Sequence, residues 1–101
     1  MTEFVKAASV SELQPGSVKE VRINGRTLAI CNVAGKCFAL DNQCAHRGGP
    51  LGQGILDGEN IECPWHGWRF DVKTGAVGKS ANVKVVTYEV KIEGSDILVA
   101  I

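Results

Sequence analysis

From Val18 to Ile23 polar and apolar side chains alternate. Val18, Glu20 and Arg22 interleave with Lys19, Val21 and Ile23, a period of two that predicts a strand. Asn24-Gly25 follows, a residue pair suited to a tight hairpin turn, and Thr27-Leu-Ala-Ile-Cys-Asn-Val33 returns as the second strand. A turn at Ala34-Gly35-Lys36 leads into Cys37-Phe-Ala-Leu40, and Asp57-Gly58 joins Gln53-Gly-Ile-Leu56 to Asn60-Ile-Glu-Cys63 as another hairpin. Trp68 to Val72 predicts a short strand stopped by Lys73-Thr-Gly75. Val85 to Glu93 and Asp96 to Ile101 flank the turn at Gly94-Ser95, so the chain ends as a hairpin. Ser9 to Leu13 is long enough for one helical turn before Pro15-Gly16, yet no longer segment carries an apolar face at helical spacing. The predicted fold class is all-β.

Length narrows this further. A chain of 101 residues suits one domain, spanning residues 1–101, with no internal repeat, low-complexity stretch or linker. Eleven basic residues balance eleven acidic ones, which leaves no basic field for nucleic acid and no cationic segment for an anionic membrane surface. No apolar run approaches the length of a membrane span or a signal peptide, and Glu3 and Glu12 lie near the start, so the expectation is a soluble, cytoplasmic protein. No heptad pattern argues for more than a monomer. In a reducing compartment, cysteines with ligand spacing point to metal rather than to disulfides. Cys44 and Cys63 have that spacing. Cys31 and Cys37 do not, and are expected as small buried strand residues, as Phe38 and Tyr88 are expected in the core.

The chemistry concentrates in two pairs, Cys44-Ala-His46 and Cys63-Pro-Trp-His66, which use both histidines of the chain. Both fall in loops at strand ends, so two loops can close on one centre. Two thiolates and two imidazoles are the ligand set of a Rieske 2Fe-2S centre, in which two histidines replace two cysteines on one iron. Neutral imidazoles leave that iron electron-poor, so the centre should reduce more readily than an all-cysteine cluster, at roughly −150 to +300 mV. Gly48, Gly49, Gly52 and Gly67 can take positive φ and let peptide N–H groups approach cluster sulfurs closely, while Pro50 and Pro64 restrict the same loops. A closed Cys₂His₂ zinc site needs the same donors, but C-x-H is an unusual zinc half-site and zinc does not require glycine-rich loops. A catalytic Cys-His dyad does not explain why the pairing occurs twice.

CAHRGGPL from Cys44 to Leu51 and CPWHGWRFD from Cys63 to Asp71 resemble the two cluster-binding boxes of the Rieske family. The resemblance implies an antiparallel β-sandwich with a smaller cluster-binding subdomain formed by two loops. It also implies that Cys44 and Cys63 hold the buried iron of a [2Fe-2S] cluster, with His46 and His66 on the iron at the domain tip. High-potential members carry an extra cysteine in each box, where this chain has Gly49 and Trp65, and a serine and a tyrosine hydroxyl where it has Trp68 and Phe70. Fewer hydrogen bonds to sulfur favour a lower potential. The pattern is instead similar to the Rieske ferredoxins and oxygenase domains of aromatic-ring hydroxylation. The family's proline-rich third loop corresponds to Gly78-Lys-Ser-Ala-Asn82, which has no proline.

A ring-hydroxylating oxygenase also needs a mononuclear iron held by two histidines and a carboxylate, and this chain has no third histidine. It has no G-x-G-x-x-G fingerprint for a nicotinamide cofactor either. The expected role is therefore a one-electron carrier, not an enzyme, between a flavoprotein reductase and a terminal oxygenase, through contacts below about 1,200 Å². Trp65, Trp68 and Arg47 are candidates for partner contact as much as for core or solvated positions. Three alternatives stand beside this: a small Rieske-like subunit of assimilatory nitrite reductase, a redox sensor, and a zinc-stapled module.

Overall fold

The central hairpin shows why the chain folds in layers. In the computed structural model, which describes residues 3–42, 50–64, 68–77 and 80–101, β2 (Val18–Ile23), β3 (Arg26–Val33) and β4 (Lys36–Asp41) form consecutive antiparallel hairpins. Asn24 and Gly25 have φ of 50° and 79°, and Ala34 and Gly35 have 52° and 97°. Positive φ at both central positions matches the turn twist to the right-handed twist of the strands.

Strand β3 is buried on both faces. Ala29 and Cys31 point into one core with Leu40, Leu51, Ile61, Cys63, Phe70, Val72 and Val85. Leu28 and Ile30 point into a second core with Ala8, Leu13, Ile23, Cys37, Ala39, Ile97 and Val99. A strand that buries both faces must be apolar almost throughout, as Leu28 to Cys31 is.

Each core is closed by a further sheet. On one side lie β1 (Phe4–Ser9), β12 (Asp96–Ala100) and β11 (Val90–Glu93), in the order β1-β12-β11. On the other lie β5 (Ile55–Asp57), β6 (Asn60–Glu62), β7 (Arg69–Asp71), β8 (Ala76–Val77) and β9 (Ser80–Lys84), paired in chain order. The middle sheet is completed by β10 (Thr87–Tyr88) on the edge of β4. All pairings are antiparallel among the described residues, and only 3-10 turns at Val10–Glu12 and Leu51–Gln53 interrupt the β structure. Among the described residues no helix is long and apolar enough to cross a membrane.

The structure corrects the predicted elements in four places. Val85 to Glu93 is not one strand: Tyr88 pairs with Ala39 and Val90 with Val99, so the chain changes sheets at Glu89, whose carbonyl accepts from the Ala100 N–H at 2.9 Å. Gln53 belongs to a 3-10 turn, not to a strand. Strand β1 was not anticipated, because the register shift between Lys6 and Ala8 breaks its alternation. Part of the expected third loop, Ser80–Asn82, is strand β9, and residues 78–79 lie outside the described residues.

Candidate metal centre

Two loops lead from strand ends to the positions of the Cys/His pairs. The first leaves β4 after Asp41 and returns at Pro50; the second leaves β6 after Glu62 and returns at Trp68. Backbone hydrogen bonds pinch each at its root. Leu51 N–H donates to the Asn42 carbonyl at 2.7 Å, and Cys63 N–H donates to the Trp68 carbonyl at 2.7 Å. The two roots share one core, since Leu51 and Cys63 are buried in the same cluster and the half-buried Trp68 packs against it. Both loops therefore start from one small region of the molecule.

Of the four predicted ligands, Cys63 is described; Cys44, His46 and His66 lie outside the described residues, as do Gly48, Gly49, Gly67, Trp65 and Arg47. Cys63 is 1% exposed while the next residue, Pro64, is exposed, so the chain passes from core to surface within one residue. Phe70, at the place of a family hydroxyl, is fully buried.

Cys31 and Cys37 take the core positions expected of them, on opposite faces of the middle sheet and in no disulfide. Burial, with a smaller contribution from Cys37, pushes the Cys31 thiol up to about 12, and burial also raises Cys37. Both remain protonated near neutrality, whereas a metal ligand must be a thiolate. Phe38 and Tyr88 are half-buried and pack against the two cores.

One expectation fails at Gly52. Its φ is not in the left-handed region, and its N–H donates to Asn42 Oδ1 at 2.6 Å, so that donor is committed within the protein and not to a cluster sulfur. Glycine is needed there for space: a Cβ would overlap Glu20 Cγ and come within 2.8 Å of Asn42 Oδ1. The sequence offered no sign of this arrangement. Asn42 and Glu20 carry no ligand spacing, and only the fold brings β2 against the returning loop.

Comparison with known proteins agrees with this geometry. The family model for the Rieske [2Fe-2S] domain matches residues 3–91, and the chain belongs to that family. It is 40% identical over 101 residues to the ferredoxin component of the naphthalene 1,2-dioxygenase system of Pseudomonas aeruginosa, covering 98% of this chain and 97% of that protein. A solved complex of reduced oxygenase and oxidized ferredoxin in carbazole 1,9a-dioxygenase contains a chain with a TM-score of 0.86 and 34% identity, covering 96% of this chain and 92% of that one. A Mycobacterium tuberculosis chain described as an NADH-dependent nitrite reductase small subunit has a TM-score of 0.91 with 20% identity, covering 100% and 96%, a likeness of fold alone.

Proposed function

We propose that this chain is a soluble, cytoplasmic one-electron carrier, a single Rieske domain over residues 1–101 that passes electrons from a flavoprotein reductase to a terminal oxygenase. The observation that carries this is the near-full-length likeness to a dioxygenase ferredoxin component in a chain whose two Cys/His boxes are rooted in one core. The chain is an electron-transfer component rather than a catalyst. Its counterpart seen with an oxygenase in a solved complex supports the oxygenase as one partner.

The donor set fits a 2Fe-2S cluster. Cys44 and Cys63 would hold one iron as thiolates, and His46 and His66 the other through neutral imidazoles. Burial of Cys63 at the root of its loop supports a sulfur donor on the protein side. When bound, the cluster supplies storage for one electron, and its neutral imidazole ligands favour uptake at a moderate potential. The protein contributes loops fixed at their roots, which keep the rearrangement on electron transfer small. Low interface area and quick release suit a carrier that must leave each partner in turn.

Direct voltammetry of the anaerobically purified protein tests this. The expected result is a one-electron wave in the lower part of the Rieske range, roughly −150 to +300 mV. A colourless protein with stoichiometric zinc and no wave would sink the proposal. A wave at the top of the range would redirect the partner to a quinol-type chain.

A further inference from the structure

The first ligand loop is held by more than its backbone pinch. Asn42, two positions before Cys44, is one of two buried polar side chains among the described residues, at 9% exposed. All of its hydrogen-bonding groups have partners. Its backbone N–H donates to the Thr27 carbonyl at 3.2 Å and its carbonyl accepts from Leu51 N–H at 2.7 Å. Its Nδ2 donates to Glu20 Oε2 at 2.7 Å, and its Oδ1 accepts from Gly52 N–H at 2.6 Å. One residue thus ties together β2, β3 and the segment to which the loop returns.

Glu20 decides which way the amide points. Its two carboxylate oxygens accept from Asn42 Nδ2 and, at 3.0 Å, from Gln53 Nε2. An acceptor-only group on that side forces the Asn42 NH₂ toward it and leaves Oδ1 for the Gly52 N–H. Without the carboxylate, the amide could rotate and set two donors against each other at the loop root. The absence of a side chain at Gly52 leaves room for this contact.

We propose that Asn42, oriented by Glu20, is a positioning residue for the first ligand loop: it fixes the loop root and thereby the presentation of Cys44 and His46. This rests on the ligand assignment proposed above. Groups that orient metal ligands without touching the metal affect affinity and electronic properties as well as stability. A residue that only supported the fold would change stability alone.

Asn32 supplies the control. It is the other buried polar side chain among the described residues, at 4% exposed, and it bonds as fully as Asn42, but to segments that form no part of the root of either ligand loop. The experiment compares wild type, Asn42→Ala, Glu20→Gln and Asn32→Ala. It measures melting temperature, the rate of loss of the visible cluster band in chelator, the reduction potential and the electron paramagnetic resonance spectrum. Asn42→Ala is expected to lose the cluster about 10-fold faster than wild type, with a shifted potential and altered resonance, at the lower end of what ligand-orienting groups contribute. Glu20→Gln should move the same readouts in the same direction by less. Asn32→Ala should lower the melting temperature and leave the wild-type potential and resonance in place.

A wild-type potential and loss rate in Asn42→Ala would overturn the proposal. Should that variant fail to fold, a wild-type potential and loss rate in Glu20→Gln would overturn it equally. A wild-type protein without a Rieske spectrum would instead sink the electron-carrier assignment. The latch is then judged by amide exchange at Leu51 and Gly52: protection lost in Asn42→Ala but kept in Asn32→Ala supports it, and equal protection in both overturns it.

Discussion

Asn32 and Asn42 solve the same problem at two ends of the middle sheet. At Asn32 every partner is backbone: Nδ2 donates to the Leu13 carbonyl at 2.8 Å, Oδ1 accepts from Gly35 N–H at 2.7 Å, and the main chain bonds Ser17 and Gly16. At Asn42 one of the four partners is a carboxylate, Glu20. A backbone-only arrangement stitches the Leu13 to Ser17 connection to the β3–β4 turn and has no chemistry to serve. The end that leads to the proposed ligands uses a charged acceptor, whose hydrogen bonds are shorter and stronger than neutral ones. The region proposed to carry the metal chemistry is the one where the amide's orientation is set by a side chain.

The largest expected effect separates the ends outright. His66→Ala is expected to abolish the Rieske visible and resonance spectrum, while the Asn32 end and the two cores, which do not depend on His66, keep the β signature in circular dichroism. An unchanged visible spectrum would remove His66 from the ligand set. Next in size is Asn32→Ala, which leaves the buried Leu13 carbonyl without its partner and should cost about 1–3 kcal/mol, while the exposed Gly35 N–H turns to water. Denaturant unfolding measures it. A loss below about 0.5 kcal/mol, well under the ordinary cost of one unsatisfied group, would mean that water replaces the side chain and that the two asparagines are not equivalent devices.

Much of this architecture was legible in the chain because each signal was local. Asn24-Gly25 set a two-residue turn, and the β2–β3 register followed from it. The two Cys/His boxes are local signals of the same kind, since their proposed donors lie two and three residues apart. What stayed hidden depends on distant segments. The change of sheets at Glu89 leaves no mark in the apolar pattern, because Val85 to Glu93 looks the same whether it pairs with one neighbour or two. The contact of Glu20 with Asn42 and Gly52 joins residues up to 32 positions apart, and their spacing alone gives no hint of it.

A smaller effect tests the floor beneath the ligand end. Cys31 lies in the core shared by Cys63 and Leu51, yet its protonated thiol is packing and not ligation. Cys31→Ala should keep the Rieske spectrum and cost about 1 kcal/mol of stability through lost apolar contact. It should also change the alkaline limb of the stability curve. The ordinary value of the thiol is 9.0, and burial raises it to about 12 in the folded protein. Between these the unfolded chain releases a proton that the native chain keeps. The stability is fully present below pH 9.0 and is lost as pH rises toward about 12. In Cys31→Ala that decline should be shallower when unfolding is measured across this window. An identical slope would show that the thiol is not the titrating group, and loss of the spectrum would show that it is a ligand.

The smallest effect lies at the Asn32 end, in the turn that Asn32 itself clamps. Ala34 holds φ of 52°, a conformation in which an L side chain carries about 1 kcal/mol of strain, and its side chain is exposed. Asn24 occupies the matching turn position at 50° with little penalty, because asparagine tolerates the left-handed region. Ala34→Gly relieves the strain but gives the unfolded chain more freedom, which offsets part of the gain. The net expectation is a stabilisation of about 0.5 kcal/mol. Asn24→Ala should lose about 1 kcal/mol for the converse reason. Ala34→Gly should not move the reduction potential, because its turn lies at the end of the middle sheet opposite Asp41 and Asn42, whereas the Asn24-Gly25 turn shares their end, where the Thr27 carbonyl accepts from Asn42 N–H. A potential shift in Ala34→Gly would mean that strain at the Asn32 end reaches the ligands through the middle sheet. The separation between a purely structural end and a chemical end would then fail.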